Sequence, residues 1–302
     1  MKGILLAGGM GTRLYPVTRV ASKHLICIYD KPMIYYSLST LMLAGIDDII
    51  LISTASDSKL FQKLLGDGRQ FGIHLTYLVQ KKPGGIAQAF LVSEDYIRNQ
   101  HVALMLGDNI FFGNGLQSIL DDHKNMKKGA MIFGYQVKDP ERYGVLEFDQ
   151  YNNVAGIQEK PKEPKSNYAI PGLYFYDDQV LDMAKNLRPS SRGELEISDI
   201  NRLYLAKKQL YVKIMGRGIA WLDTGTPQSL LEASGFVAAV ENRQGLKIAC
   251  LEEIAYRKNF ISRRDLEATI QKMPSGEYRK YLLSVLEEES KNTNHGLLTV
   301  NA

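Results

Sequence analysis

Along the first half of the chain, short apolar runs alternate with stretches whose apolar residues recur at helical spacing. The runs Lys2 to Ala7, Asp48 to Ser53, His74 to Val79 and Val102 to Leu106 read as strands. Met33 to Ala44, Ser58 to Leu65, Ala87 to Arg98 and Leu116 to Met126 read as helices between them. Strands joined through helices form βαβ units, so the pattern predicts an α/β fold with a mixed, mainly parallel central sheet. Ligands in such sheets bind beyond the carboxyl ends of the strands, where Gly8 follows the first run and Asp108 follows the fourth. Two loops are therefore expected to meet at one edge.

From about Gly129 to Trp221 the pattern changes to longer alternating stretches, such as Tyr143 to Asp149 and Gly172 to Tyr176, which predict added antiparallel strands. A helix from about Leu195 to Lys207 interrupts them, preceded by the turn and cap formers Pro189, Ser190 and Ser191. Beyond Gln228 the chain reads as helical, through Gln228 to Glu241, Arg264 to Lys272 and Tyr278 to Glu288, with a polar end from Ser290 to Ala302 that is expected to fray. No internal repeat, hexapeptide period or Pro- or Ser-rich linker divides the chain. The expected organisation is a main domain over residues 1–240 and a helical C-terminal extension over 241–302.

Composition narrows the function. With 302 residues, 45% of them apolar, the chain can bury a substantial core. Its 37 basic residues are offset by 33 acidic ones, leaving a net charge of +4, and the densest basic runs are the pairs Lys81-Lys82 and Lys127-Lys128. A nucleic-acid binder would show a clustered basic stripe, so no nucleic-acid partner is expected. The two cysteines, Cys27 and Cys250, are too few for a disulfide framework and have no C-x-x-C spacing. The apolar start stops at Gly8, too short for a signal-peptide core, and no run reaches the roughly 18 apolar residues that span a bilayer. By elimination the expectation is a cytoplasmic protein with no membrane partner.

The candidate chemistry begins at Leu5-Leu-Ala-Gly-Gly-Met-Gly-Thr-Arg-Leu14, where three glycines follow directly on an apolar strand. Glycine permits positive φ and close backbone approach, so successive amides can turn inward onto anionic oxygens. A dinucleotide fingerprint read from Gly9 would need glycine where Leu14 stands, and the P-loop ending in Lys-Ser/Thr is absent. A plain strand-to-helix turn remains the alternative, but Arg13 beside exposed amides suits bidentate phosphate binding.

Gly8-Gly-Met-Gly-Thr-Arg-Leu14 with Ser22-Lys23, then Asp30-Lys-Pro-Met-Ile-Tyr-Tyr36, Leu106-Gly-Asp-Asn-Ile-Phe111, Asp139-Pro-Glu-Arg-Tyr-Gly-Val145, Glu159-Lys-Pro161, Arg192-Gly-Glu-Leu-Glu196 and Trp221-Leu-Asp-Thr-Gly-Thr226 occur in order. From Lys2 to about Ile261 the chain thereby resembles the sugar-nucleotide pyrophosphorylases, and among them those that join dTTP to glucose 1-phosphate. The resemblance implies a Rossmann-like nucleotidyltransferase fold, Mg²⁺ as cofactor, and transfer of a thymidylyl group to give dTDP-glucose and pyrophosphate, the first step toward dTDP-deoxysugars such as dTDP-rhamnose. It also implies a homo-oligomer, a tetramer, with product feedback at a second nucleotide site to which Gly216-Arg-Gly218 is a candidate contributor.

The same resemblance assigns roles. Arg13, Lys23 and Lys160 are the implied catalytic cations. Gly8, Gly9, Gly11, Thr12, Gln80, Gly85 and Asp108 join Arg13 and Lys23 in holding the nucleotide. Tyr143, Gly144, Glu159, Gly172, Tyr174 and Trp221 join Lys160 around the sugar, and Asp108 and Asp223 are the implied metal ligands. Hard carboxylate oxygens suit Mg²⁺, although Asp108 alone reads equally well as a turn cap. Lys160 alone reads as a surface lysine at a strand end before proline, Trp221 as core, and Gln80 and Gly85 as a polar loop before a helix. A glutamine amide matches the imide edge of thymine or uracil, both of which present it. A phosphate monoester is mostly dianionic at neutral pH, so no Ser-His-Asp or Cys-His apparatus is required. Met10, His24, Cys27, Ser37 and Pro171 depart from the common pattern, Met10 because it is bulky beside the triphosphate and His24 because it replaces the usual glutamine. These departures leave open a binding module without turnover. A dinucleotide-dependent oxidoreductase is disfavoured by Leu14.

Overall fold

The computed structural model describes residues 1–9 and 11–294, with side chains as far as Glu288. Met10 therefore lies outside the described residues, as does most of the segment expected to fray. The part of it that is described, through Asn294, continues the helix Glu277–Asn294, a correction to the expected end near Glu288.

The N-terminal half is the anticipated parallel sheet. Strand β1 (Lys2–Ala7) is followed by a two-residue hairpin of β2 (Cys27–Ile28) and β3 (Lys31–Pro32), then by β4 (Asp48–Ser53), β5 (His74–Val79) and β6 (Val102–Leu106). β1 lies between β4 and β6 and pairs in parallel with both, and β4 pairs in parallel with β5. β1, β4 and β6 read as nearly unbroken apolar runs because both faces are covered, while β5 at the sheet edge is only partly buried. Leu5 and Ala7 enter a core beneath helix Met33–Leu43 and the C-terminal helices. Ile4 and Leu6 enter another, beneath helices Val180–Lys185 and Ile197–Ala206. Since the order runs out from β1 to β4 and β5 on one side and to β6 on the other, a topological switch point falls between β1 and β6. Gly8 and Asp108 stand at its carboxyl edge.

The second half extends the sheet with β8 (Ala130–Gln136), β9 (Gly144–Phe148), β10 (Val154–Glu159), β11 (Tyr168–Ala169), β12 (Leu173–Tyr176) and β13 (Leu210–Met215), while β7 (Asn109–Gly113) pairs with β14 (Ile219–Asp223) in a separate ribbon. The expected antiparallel strands are present, and β13 departs from them by joining β8 in parallel. One feature makes the site. β11 bonds to β9 at Ala169 and β12 bonds to β6 at Leu173, so the chain changes partner across Ile170, Pro171 and Gly172. Ile170 N–H donates to Gly144 O at 2.8 Å and Leu106 N–H to Gly172 O at 2.8 Å, which seals both rims of the fork. A cleft opens between the end of β6 and the start of β9.

Two helix readings are corrected. The single helix expected over Ala87 to Arg98 is two pieces, Gln88–Val92 and Glu94–Ile97, because the buried Ser93 hydroxyl donates to Ala89 O at 2.7 Å and competes with the helical ladder. Leu116 to Met126 is helical only through Asp121 and tightens into a 3₁₀ turn over Asp122–Asn125. Helices Val180–Lys185 and Leu251–Arg257 were not among the individual helices expected from the sequence.

Candidate functional site

Two cavities adjoin at the switch point. The larger, of about 520 Å³, occupies the sheet fork. A smaller one, of about 220 Å³, lies over the glycine turn, and Asp108, Leu106 and Ile86 line both. Together they have the size of a small-ligand site.

The smaller cavity gathers Gly8, Gly9, Lys23, Gln80, Gly85 and Asp108 from three connections of the chain. Two of these glycines are closely packed, and at Gly85 the backbone itself requires glycine. A Cβ on Gly8 would stand 2.7 Å from Gln80 Oε1, so the turn packs directly on that amide. Gly85 has φ +94°, and a Cβ there would meet the Leu195 carbonyl oxygen at 2.4 Å, in backbone that cannot swing away. The loop is pinned by Leu195 N–H donating to Gly84 O at 2.8 Å and by Ala87 N–H donating to Leu195 O at 3.1 Å. Gly85→Ala is therefore expected to cost about 2 kcal/mol or more of stability and to weaken nucleotide binding, checked by thermal denaturation and calorimetry. Gln80 is 9% exposed and donates to Gln88 Oε1 at 2.6 Å, which orients its amide. Gly11 and Thr12 line neither cavity. Gly11, at φ +57°, caps the 3₁₀ turn Thr12–Leu14 and accepts from the Thr18 hydroxyl at 3.0 Å, so these two shape the loop that carries Arg13.

The larger cavity contains Arg13, Asp108, Tyr143, Gly144, Glu159, Lys160, Gly172, Tyr174, Trp221 and Asp223. The carboxylates Asp108 and Asp223 meet because β7 pairs antiparallel with β14, setting Asp223 opposite Asn109, and because Thr224 N–H donates to Asp108 O at 3.1 Å. Asp108 forms an ion pair with Lys23 and accepts from Asn109 Nδ2 at 2.9 Å. Burial opposes its ionisation, yet the Lys23 ammonium beside it prevails and holds the carboxyl well below the usual carboxylate range. His24, 1% exposed, shares a 3.0 Å hydrogen bond with the Ser22 hydroxyl, packs on Gly107 and contributes to the wall of the smaller cavity. Burial first, and the neighbouring Lys23 second, push its pKa down to about 3, so it is neutral at pH 7. Asp223 accepts from the Tyr143 hydroxyl at 2.9 Å and from Arg142 at 3.0 Å. Arg13 lies against Gly225: a Cβ on that glycine would fall 2.9 Å from the Arg13 guanidinium and 3.4 Å from Asp223 Oδ2.

Lys160 is not the extended residue that a following proline favours. It sits at φ +46°, held by its N–H donating to Tyr143 O at 2.9 Å, and it lines the cavity with its side chain half exposed. Glu159 accepts from the Ser198 hydroxyl at 2.5 Å. Trp221 is core and cavity wall at once: it packs edge-on against Tyr143 with ring centroids 5.0 Å apart, and its Nε1 donates to Asn109 at 2.7 Å.

Sequence reasoning singled out Asp108 but passed over its neighbour. Asn109 Oδ1 accepts from both Trp221 Nε1 and Gly172 N, the latter at 2.9 Å, joining three walls of the cleft. Asn109→Ala would orphan both donors, at about 1–3 kcal/mol each, and is expected to lower stability by about 2–4 kcal/mol and to raise KM for the cavity's ligand. Denaturant unfolding and steady-state kinetics check it. Arg142, Ser198 and Asn201 were also missed. Ser198 and Asn201 lie one turn apart on helix Ile197–Ala206, where both side chains are buried.

Nucleotidyl transfer generally uses a divalent metal to disperse phosphate charge. Among the described residues no three of His, Cys, Asp and Glu gather into a metal cage. Two hard carboxylates in one cavity, with lone pairs left after one partner on each oxygen, do fit a cation that retains waters and substrate oxygens.

A ten-stranded mixed sheet with its cavity at the switch point is the architecture of nucleotidyl transferases, and the family model described as nucleotidyl transferase matches residues 2–240. The glucose-1-phosphate thymidylyltransferase of Neisseria gonorrhoeae is 55% identical over 286 residues, covering 95% of this chain and 99% of its own. That of Mycobacterium tuberculosis is 50% identical, with 95% and 99% covered. A Bacillus anthracis protein described as a glucose-1-phosphate thymidylyltransferase has a solved structure of TM-score 0.73 at 44% identity, covering 78% of this chain and 94% of that one. A UDP-glucose pyrophosphorylase, at 20% identity and TM-score 0.70, shares the fold. The chain belongs to the nucleotidyl transferase family, within the group formed by the glucose-1-phosphate thymidylyltransferases. It is a nucleotidyltransferase enzyme, and none of its described helices is long and apolar enough to cross a membrane.

Proposed function

We propose that this enzyme transfers the thymidylyl group of dTTP to glucose 1-phosphate, giving dTDP-glucose and pyrophosphate. The observation that carries this reading is the pair of joined cavities: Gly8, Lys23, Gln80 and Gly85 surround one, Glu159, Lys160 and Tyr174 the other, and Asp108 stands between them. The relatives' activity and the intact set of charged groups support it. In the reaction a phosphate oxygen of the sugar phosphate bonds to the α-phosphorus of dTTP while the bond to the β-phosphate bridging oxygen breaks, and pyrophosphate leaves with that electron pair. No proton has to move, because the attacking phosphate is already largely dianionic.

The protein's task in this reading is alignment and charge dispersal. Gln80 and the Gly85 backbone hold the base, and the turn from Gly8 with Arg13 and Lys23 holds the triphosphate. Lys160, fixed by its left-handed backbone, steers the sugar phosphate, while Glu159, Tyr174, Gly144 and Gly172 read the hydroxyls. Asp108 and Asp223 are the residues that would hold Mg²⁺, which bound there supplies positive charge against the phosphate oxygens. One methyl separates thymine from uracil and is worth about 1–3 kcal/mol, so some use of UTP is expected. The same reading makes the enzyme a cytoplasmic homotetramer whose C-terminal helices supply subunit contacts, and an early step in dTDP-deoxysugar synthesis.

The test is release of pyrophosphate from dTTP, glucose 1-phosphate and Mg²⁺. Release dependent on all three supports the reading. Binding of dTTP by calorimetry with no release from any sugar phosphate would replace it with a silent binding module.

A further inference from the structure

The carboxylate that faces Asp108 across the cleft is already neutralised from within. Asp223 Oδ2 accepts from Arg142 Nη2 at 3.0 Å and Oδ1 accepts from the Tyr143 hydroxyl at 2.9 Å. Arg142 is shared: its Nη1 donates to Asp139 at 2.5 Å, and its guanidinium lies over the Tyr143 ring, 5.2 Å from the centroid. Asp108 is matched in the same way by Lys23. Each carboxylate thus has one cation, and a divalent ion entering between them would add two positive charges beside two already present. Like charges at such separations repel, so an entering cation favours one side chain leaving. Lys23 is poorly placed to do so, with a side chain only 15% exposed. Arg142 is 36% exposed, sits on the short turn Pro140–Arg142 at the cavity rim, and has Asp139 as a second partner.

We propose that Arg142 is the internal counter-cation of Asp223, holding the carboxylate in the free protein and yielding it to a divalent cation. The residue then turns its freed guanidinium toward the anion in the cavity, where a planar fork suits phosphate oxygens. The exchange makes cation binding weak until an anionic substrate arrives to receive Arg142, and it couples the two events through one side chain. This rests on the reading of Asp108 and Asp223 as the metal-holding pair.

The experiment is Mn²⁺ binding to the full-length protein without nucleotide, followed by electron paramagnetic resonance, for the parent, Arg142→Met, Arg142→Gln and Asp223→Asn. Both neutral replacements of Arg142 are expected to tighten Mn²⁺ by about fivefold or more, since they remove a competing ion pair from the ligand. They are also expected to raise KM for glucose 1-phosphate more than they lower kcat. A merely structural arginine would loosen Mn²⁺ or leave it unchanged. Unchanged or weaker Mn²⁺ affinity in both Arg142 variants, with Asp223→Asn weakening it, overturns the counter-cation role alone. Mn²⁺ affinity that ignores Asp223→Asn overturns the metal-pair reading and this inference with it, while leaving pyrophosphate release from dTTP to be judged separately.

Discussion

Asp108→Asn is expected to lower the rate of pyrophosphate release by about 100- to 1000-fold while lowering the melting temperature by only a few degrees. The amide keeps the shape of the carboxyl and fills the same place between Lys23 and Asn109, so packing at the end of β6 is preserved. What disappears is the negative charge, and two functions depend on it. Lys23 loses the partner that fixes its ammonium at the mouth of the smaller cavity, and the pair with Asp223 loses half of its attraction for a divalent ion. The stability cost is limited because the amide oxygen at position 108 can still accept from the Lys23 ammonium, so the largely buried cation keeps a hydrogen-bond partner. Turnover and thermal denaturation measured on the same preparation separate the outcomes. Proportional loss of both would make Asp108 a structural residue and return it to the turn-cap reading.

How far the sequence foretold this site depends on the range of the forces that built it. The strands β1, β4 and β6 were legible to the residue because each is buried on both faces and is apolar almost throughout, and the partly buried edge strand β5 was legible from its β-branched and aromatic residues. The break at Ser93 was not, since a serine hydroxyl turned back on Ala89 O looks, in sequence, like any polar position on a helix. The partner change across Ile170 to Gly172, which opens the cleft, involves β6, β9, β11 and β12 together, and no local pattern encodes a four-strand arrangement. Site residues divide along the same line. Gly8 and Asp108 stand directly after strands where a ligand edge is expected, although Asp108 alone reads equally well as a turn cap and Gly85 takes its role from the resemblance. Asn109, one position further on, matters because β14 later brings Trp221 beside it and the fork brings Gly172, contacts that exist only once the fold is complete. Arg142 stood inside a quoted motif without a role for the same reason: its partner Asp223 arrives from the far end of the chain. Gly11 and Thr12, assigned to the nucleotide by the resemblance, sit in the turn that carries Arg13, where Gly11 caps the 3₁₀ turn.

His24 carries the second large expectation, one that its polar neighbours in the sequence concealed. Burial with a pKa near 3 means that the folded protein keeps this imidazole neutral where an unfolded chain, with a histidine pKa of about 6.5, would protonate it. Between those two values the unfolded state binds the extra proton, so stability rises with pH. The contribution is complete above about pH 6.5 and is lost on acidification at up to about 1.4 kcal/mol per pH unit. The effect opposes that of a surface histidine pairing with a carboxylate, because Asp108 raises the pKa less than burial and Lys23 lower it. His24→Gln removes the titrating group while leaving a side chain of similar reach to the Ser22 hydroxyl. The variant is expected to be modestly less stable than the parent at pH 7, having lost ring packing on Gly107, and to gain about 2 kcal/mol relative to the parent by pH 5. Urea unfolding at pH 7, 6 and 5 measures that convergence. Parallel stability curves for the two proteins would mean that His24 takes up its proton in the folded state and that the turn bearing Lys23 admits water.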